Sequence, residues 1–490
     1  MTKFCELCAD KLSRQRHYSF GLIQMNSVFN ILQRLFHPSG DDAAAEEHAL
    51  FSALHSGIAF KLQAEDQIMF AELIKDVFPR MTEIARPESG GDAVDACLRR
   101  AAYQTIGRQK SQICHLLDVL ENCRAALLVG DSGGGKSVII EICLERLKQQ
   151  NKDMKTIFLS PKSCGLQEFY GSVENGKVVQ GLFSKLFSEA CAENRRTVFV
   201  FDSQIDPVWI ENVSSVLDES CCLTLLNGDR TKYEPSLVSF IFETGNLQTA
   251  SPAILPRAAV LHVDVTDENY RALWASLREQ KFAKISARLQ ELFAKFVPAL
   301  FDVVAASQLK TIVPFSKVNS VNQLGDMLGI LLSDKEEHLT PCFVQALYLS
   351  IGSTLLEQEH HVFDANVKTL ANMVIVEDSP DNPARMGQLP ARNIFEYTWD
   401  GDKECWINWQ WTSPEKSAVA KISSLEETLI PTPMTRFYQW LLSKHVESNN
   451  RELVFKKVII MLRLLHEHSK NMLSLCTRIL MQMFYMFWQL

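Results

Sequence analysis

Residues 127–137 read LLVGDSGGGKS, in which Gly130, Gly135, Lys136 and Ser137 fall on the spacing G-x-x-x-x-G-K-[ST]. The stretch lies between an apolar run, AALLV at 125–129, and a helical pattern, VIIEICLERLK. Glycines at these places let the backbone curl so that successive N–H groups face inward on phosphate oxygens. The lysine then reaches the terminal phosphates, and the serine hydroxyl is placed to bind Mg²⁺. Strand, loop and helix in that order separate a phosphate loop from a glycine turn that binds nothing. Gly130, Asp131, Ser132, Gly133, Gly134, Gly135, Lys136 and Ser137 are therefore the candidate site for ATP or ADP with Mg²⁺.

Four further β-rich runs follow, at 156–160, 197–202, 237–244 and 258–263. Helical patterns separate the first three of the five runs, so a five-stranded parallel sheet with helices on both faces is the economical α/β solution. From Asp267 to about Val376 the pattern is almost entirely helical. HPSGDDAAAEE at 37–47, RPESGGDA at 86–93 and EDSPDNPARMGQLP at 377–390 break periodicity and mark boundaries. Asp202 ends the run TVFVFD, beside the phosphate loop if the strand ends converge, and is the candidate acid for Mg²⁺; a turn cap is the plainer alternative. Hydrolysis needs a group that orients and deprotonates water. Ser203 follows Asp202 and is a poor base, while Asp206 lies too far along the chain to replace one. Binding with little or no turnover is the expectation.

The 490 residues, 47% hydrophobic and 22% charged, suffice for two to four domains. A net charge of −8 argues against a nucleic-acid binder, whose affinity rests on clustered Lys and Arg. Thirteen cysteines without framework spacing, and no secretory leader, point to a reducing intracellular compartment. Cys5 and Cys8 form a C-x-x-C with no second pair nearby to complete four zinc ligands. The apolar tail at 472–490 is long enough to span a bilayer. Arg478 within it costs about 2.5 kcal/mol or more at the centre of such a helix, so a membrane anchor is not the expectation.

The stretch VFVFDSQIDPVWIENVSSVLDESCCLTLLNGDRTKYEPSLVSFIFETGNLQTASPAILPRAAVL resembles the second AAA+ module of dynein heavy chains. Asp206, Pro207, Trp209, Ile210, Glu211, Asp218, Asn227, Gly228, Arg230, Pro252 and Arg257 fall on that family's pattern. LSPKSCGLQEFYG with QGLFSKLF is similar to the family's segment after the phosphate-loop helix, and KTIVPFSKVNSVNQLGDMLGILL with ALYLSIGSTL to its helical lid. FCELCADKLSRQRHYSFGLIQMNSVFNIL resembles the last helices of the preceding module, and SLEETLIPTPMTRFYQWLL the start of the next. The resemblance ceases near Lys456, and Ile23 stands where the family has a nucleotide-sensing arginine.

The resemblance implies an AAA+ P-loop NTPase module with an α-helical lid, flanked by partial modules. Residues 1–37 would close the first module, 38–90 link and lead in, and 91–266 form the large subdomain of the second. Its lid would be 267–376, the lead into the third module 377–455, and a divergent tail 456–490. Asn246 corresponds to the polar residue that watches the γ-phosphate, with a Gly-Asn turn as the plainer reading. Arg257 matches the arginine finger, which acts in trans on the neighbouring module's site; a surface salt bridge is its alternative. Implied partners are the remaining heavy-chain modules and the dynein intermediate and light chains. Microtubules would be reached only through parts absent here, since no long heptad pattern is present. The implied place is the cytoskeleton, in the axoneme of a cilium or flagellum. An active ATPase of another class and a non-functional fragment are the rival readings.

Overall fold

The computed structural model describes residues 1–79, 91–332 and 338–411, apart from 36–42 and a few shorter stretches, with a few positions between 433 and 444. The tail from 456 and its apolar end lie outside the described residues, as do Asn227 and Pro252. The chain forms two compact units that divide between Ser276 and Leu277.

The first unit opens with four helices, α1 (Thr2–Lys11), α2 (Leu22–Leu35), α3 (Ala43–Ile58) and α4 (Ala64–Val77). Apolar residues at helical spacing put Phe4 and Cys8 of α1 into one core with Val28, Ile31, Phe51, Leu54, Phe70 and Ile74. Burial pushes the Cys8 thiol up to about 12. Asp66 on α4 ties down the chain after α1, accepting from the Ser13 backbone N–H at 3.0 Å and the Tyr18 hydroxyl at 2.7 Å. The segment expected as a linker and lead-in, 38–90, thus contributes two helices to the same core as residues 1–37.

The α/β part follows: α5 (Gly91–Arg100), α6 (Gly107–Asn122), β1 (Ala125–Val129), α7 (Lys136–Gln150), β2 (Lys155–Leu159), α8 (Leu166–Tyr170), β3 (Gly171–Glu174), β4 (Lys177–Gln180) and α9 (Leu182–Ala192). Next come β5 (Thr197–Asp202), α10 (Pro207–Leu217), β6 (Cys222–Thr224), β7 (Arg230–Lys232), β8 (Val238–Thr244) and β9 (Ala259–His262). Five strands make a parallel sheet in the order β2-β5-β8-β1-β9. They are the five apolar runs of the sequence.

Side-chain alternation builds a different core on each face. Val198, Val200, Ile241, Ala126 and Leu128 pack against α5, α6 and α7. Phe199, Phe201, Phe240 and Phe242 face the other way, with Phe183 and Phe187 of α9 and Trp209 of α10. Phe199 stacks on Phe240 at 5.7 Å and Phe201 on Phe242 at 5.0 Å, each pair being register partners on adjacent strands. Two antiparallel hairpins, β3–β4 and β6–β7, are additions to the five-strand expectation.

Helix α11 (Asp267–Lys281) crosses the division, and the second unit continues with α12 (Ser286–Ala306), α13 (Lys317–Leu331), α14 (Leu339–Ser350) and α15 (His360–Ala371). It does not stop at residue 376. Four short strands follow, β10 (Val374–Val376), β11 (Gln388–Pro390), β12 (Tyr397–Asp400) and β13 (Cys405–Asn408). They fall in this unit, and buried polar groups bind β12 and the residues just before it to the helices. The Gln345 amide on α14 donates to Thr398 Oγ1 at 2.9 Å and accepts from the Trp399 backbone N–H at 3.1 Å. Asp364 on α15 accepts from the Tyr348 hydroxyl and the Ile394 N–H. The Pro-rich stretch expected as a boundary is a connection within the helical unit. Among the described residues, no helix is long and apolar enough to cross a membrane.

Candidate functional site

β1 ends at Val129, and the loop 130–135 leads directly into α7, whose N-cap is Gly135. Gly133 and Gly135 have φ of 94° and 91°, which an L side chain rarely adopts. Space is equally restrictive. A Cβ on Gly130 would lie 1.9 Å from the Val263 carbonyl oxygen, and one on Gly135 would lie 2.1 Å from Gln109 Nε2. The loop is braced from outside by Asn269 on α11, whose amide donates to the Gly134 carbonyl at 3.0 Å. The same side chain accepts from the Thr266 N–H at 2.8 Å.

Lys136 is buried, and its ammonium donates to the carbonyls of Gly130 at 2.7 Å and Asp131 at 3.1 Å. The side chain is thereby folded back over the loop at the N-terminus of α7, where free N–H groups and the helix dipole favour an anion. Asp131, Ser132 and Ser137 are exposed. The loop residues expected to hold nucleotide are therefore brought together in one place.

Asp202 closes β5 on the sheet face that carries Val198 and Val200, the face α7 covers. Directly opposite it in register, at the end of β8, stands Glu243. The Ser137 hydroxyl donates to the Glu243 carboxylate, at 3.1 Å to Oε1 and 3.4 Å to Oε2. Burial raises the Glu243 pKa and the Asp202 charge raises it further, while Lys136 and the Ser137 hydrogen bond pull it back. Sequence reading missed Glu243. The only sequence clue was an acid at the C-terminal end of an apolar run, in FIFETGN.

Ser203 follows Asp202, and its hydroxyl oxygen is buried without a hydrogen bond among the described residues. Asp206 caps α10, accepting from the Val208 N–H at 2.9 Å, and lies 3.6 Å from the Lys162 ammonium. Trp209 packs its ring on Phe201 and Phe242 and donates its indole N–H to the Gln204 carbonyl, so the D-P-x-W-I-E stretch is a packing device here. Asn246 is exposed just beyond β8, its side-chain oxygen accepting from the Gln248 N–H at 3.2 Å in a turn. Arg257 is half-buried before β9, with its Nε 2.6 Å from Asp218 Oδ1. The side chains of Asn246 and Arg257 are thus engaged with the Gln248 N–H and Asp218.

Residues 1–137 match the family model described as the hydrolytic ATP binding site of the dynein motor region, and residues 289–411 match that of the dynein heavy chain AAA lid domain. The chain is 31% identical over 469 residues to dynein axonemal heavy chain 10 of Homo sapiens, a match covering 91% of this chain and 10% of that protein. It is 28% identical over 480 residues to the dynein-1-alpha heavy chain of the flagellar inner arm I1 complex of Chlamydomonas reinhardtii, covering 90% and 10% respectively. The gamma chain of the flagellar outer arm of that organism is 28% identical over 444 residues, covering 87% and 10%. The chain thus spans about a tenth of the length of these relatives. A parallel α/β sheet with a phosphate loop, a helical lid-type unit and these matches together place it in the dynein heavy chain family, as an AAA+ segment.

Proposed function

We propose that this chain is an ATP·Mg²⁺-binding AAA+ segment of a dynein heavy-chain motor, and that its site binds nucleotide with little or no hydrolysis. The observation that carries the reading is the loop 130–137 with buried Lys136, together with Asp202 at the end of β5 and Ser203 after it, where a base would act. Gly130 to Ser137 would hold the phosphates, Lys136 their terminal charge, and Ser137 with Asp202 the Mg²⁺. The metal would offset phosphate charge. Asp206 is no substitute base because it is already committed to capping α10. The match to a model named for a hydrolytic site ends at residue 137, before Asp202 and Ser203, and so does not bear on turnover here.

A thermal-shift titration of the 490-residue chain with ATP·Mg²⁺ tests the reading. Saturation near 100 times Kd should add about 2.7 kcal/mol of stability. No shift at millimolar nucleotide would leave a segment that binds nothing. A shift with multiple turnovers by phosphate release would restore the reading of an active ATPase.

The wider roles rest on the family. Arg257 would act in trans on the site of the preceding module, with remaining heavy-chain modules and the intermediate and light chains as partners. Microtubules would be engaged only by parts outside this chain. The names of the flagellar and axonemal relatives support a place in the axoneme of a cilium or flagellum, in the service of microtubule-based movement.

A further inference from the structure

We propose that Glu243 is a ligand-shell carboxylate for the divalent cation of this site, acting beside Asp202 and Ser137; the proposal rests on the ATP·Mg²⁺ reading above. Three observations converge on it. Asp202 and Glu243 are register partners at the ends of adjacent parallel strands, so their side chains leave the sheet on the same face. That face is covered by α7, and the Ser137 hydroxyl in its first turn already points to the Glu243 carboxylate at 3.1 Å. β8 lies between β5 and β1, so Glu243 stands between the strand that ends in Asp202 and the strand that ends in the phosphate loop.

The arrangement is a set of oxygen donors of the kind that hard divalent cations take, from two carboxylates and a hydroxyl on three different elements. A water-activating role fits less well. The position that follows Asp202 leaves the strand on its other face, where Ser203 sits, whereas Glu243 shares the cation side with Asp202.

The test uses the full chain and a fluorescent ATP analogue, with nucleotide affinity followed as Mg²⁺ is raised from an EDTA baseline. In Glu243→Gln the Mg²⁺ midpoint should rise by about tenfold or more, as for loss of a metal-orienting group. Affinity in EDTA should stay equal or tighten, because a negative charge facing phosphate has gone. A Mg²⁺ midpoint within about twofold of the parent's would overturn the role of Glu243 and leave the nucleotide site standing. If the parent itself bound no nucleotide at any Mg²⁺ concentration, both readings would fall together. Should E243Q fail to fold, E243D carries the test: it keeps the charge on a shorter arm, and a Mg²⁺ midpoint equal to the parent's across both nucleotides, ATP and ADP, would count against the proposal.

Discussion

Lys136 reaches back to two loop carbonyls, so its removal touches the site more than the fold. Lys136→Ala should abolish the thermal shift on adding ATP·Mg²⁺ while leaving the nucleotide-free melting temperature close to the parent's. Ser203→Glu supplies a carboxylate after Asp202 and should create measurable phosphate release if the remaining groups are competent. Unchanged background release with binding intact would show that more than a base is missing. Arg257 is the third case. Its Nε lies 2.6 Å from Asp218 Oδ1. In a complete heavy chain, Arg257→Ala should slow hydrolysis in the preceding module by about 10³-fold, as loss of an arginine finger does. A rate within about twofold of the parent's would reduce Arg257 to a half-buried ion pair with Asp218. At this scale the loop residues were legible because their spacing along the chain is itself the geometry. Glu243 was not, because its meaning depends on cross-strand register with Asp202, which no linear spacing encodes.

Phe183 on α9 is the hub of the aromatic face, touching the rings of Phe169, Tyr170, Phe187, Phe199 and Phe201. Phe183→Ala should cost about 3–5 kcal/mol, read as a lowered midpoint in urea with the slope unchanged. A loss below about 1 kcal/mol would mean that the ring is not fully packed. The sheet could be read from the sequence because TVFVFD and VSFIFET alternate aromatic with aliphatic residues, and the two kinds sort onto opposite faces. The β3–β4 hairpin had a signal that went unused. Asn175-Gly176 separates the register partners Glu174 and Lys177, the spacing of a two-residue turn. The extent of the helical unit was the least legible element. Pro and polar residues at 377–390 look like a linker, and only the buried partners of Gln345 and Asp364 reveal that Ile394, Thr398 and Trp399 are tied back to α14 and α15.

Among the described residues, burial holds His262 in the first unit and His360 in the second below the ordinary histidine value. In each case the folded state takes up the proton less readily than the unfolded chain does. Stability present above about pH 6.5 is therefore lost as the pH falls through the depressed folded value. His360 lies flat on Phe395, with centroids 3.8 Å apart. His360→Gln should flatten the fall in melting temperature between pH 7 and 5, whereas an unchanged slope would assign that fall to other groups. The division of the whole chain was visible only in outline, since helical periodicity does not say which helices share a core. Distant parts of the first unit are nevertheless linked. Gly130 and Val263 meet across a seam too narrow for a methyl group, at the same end of β1 and β9. Neither side has slack. β9 is four residues long, about 13 Å at strand rise, and Arg257 sits just before its other end. The phosphate loop and that arginine thus lie toward opposite ends of one short strand. A side chain at residue 130 would have to push the Val263 carbonyl aside, and with it the end of β9.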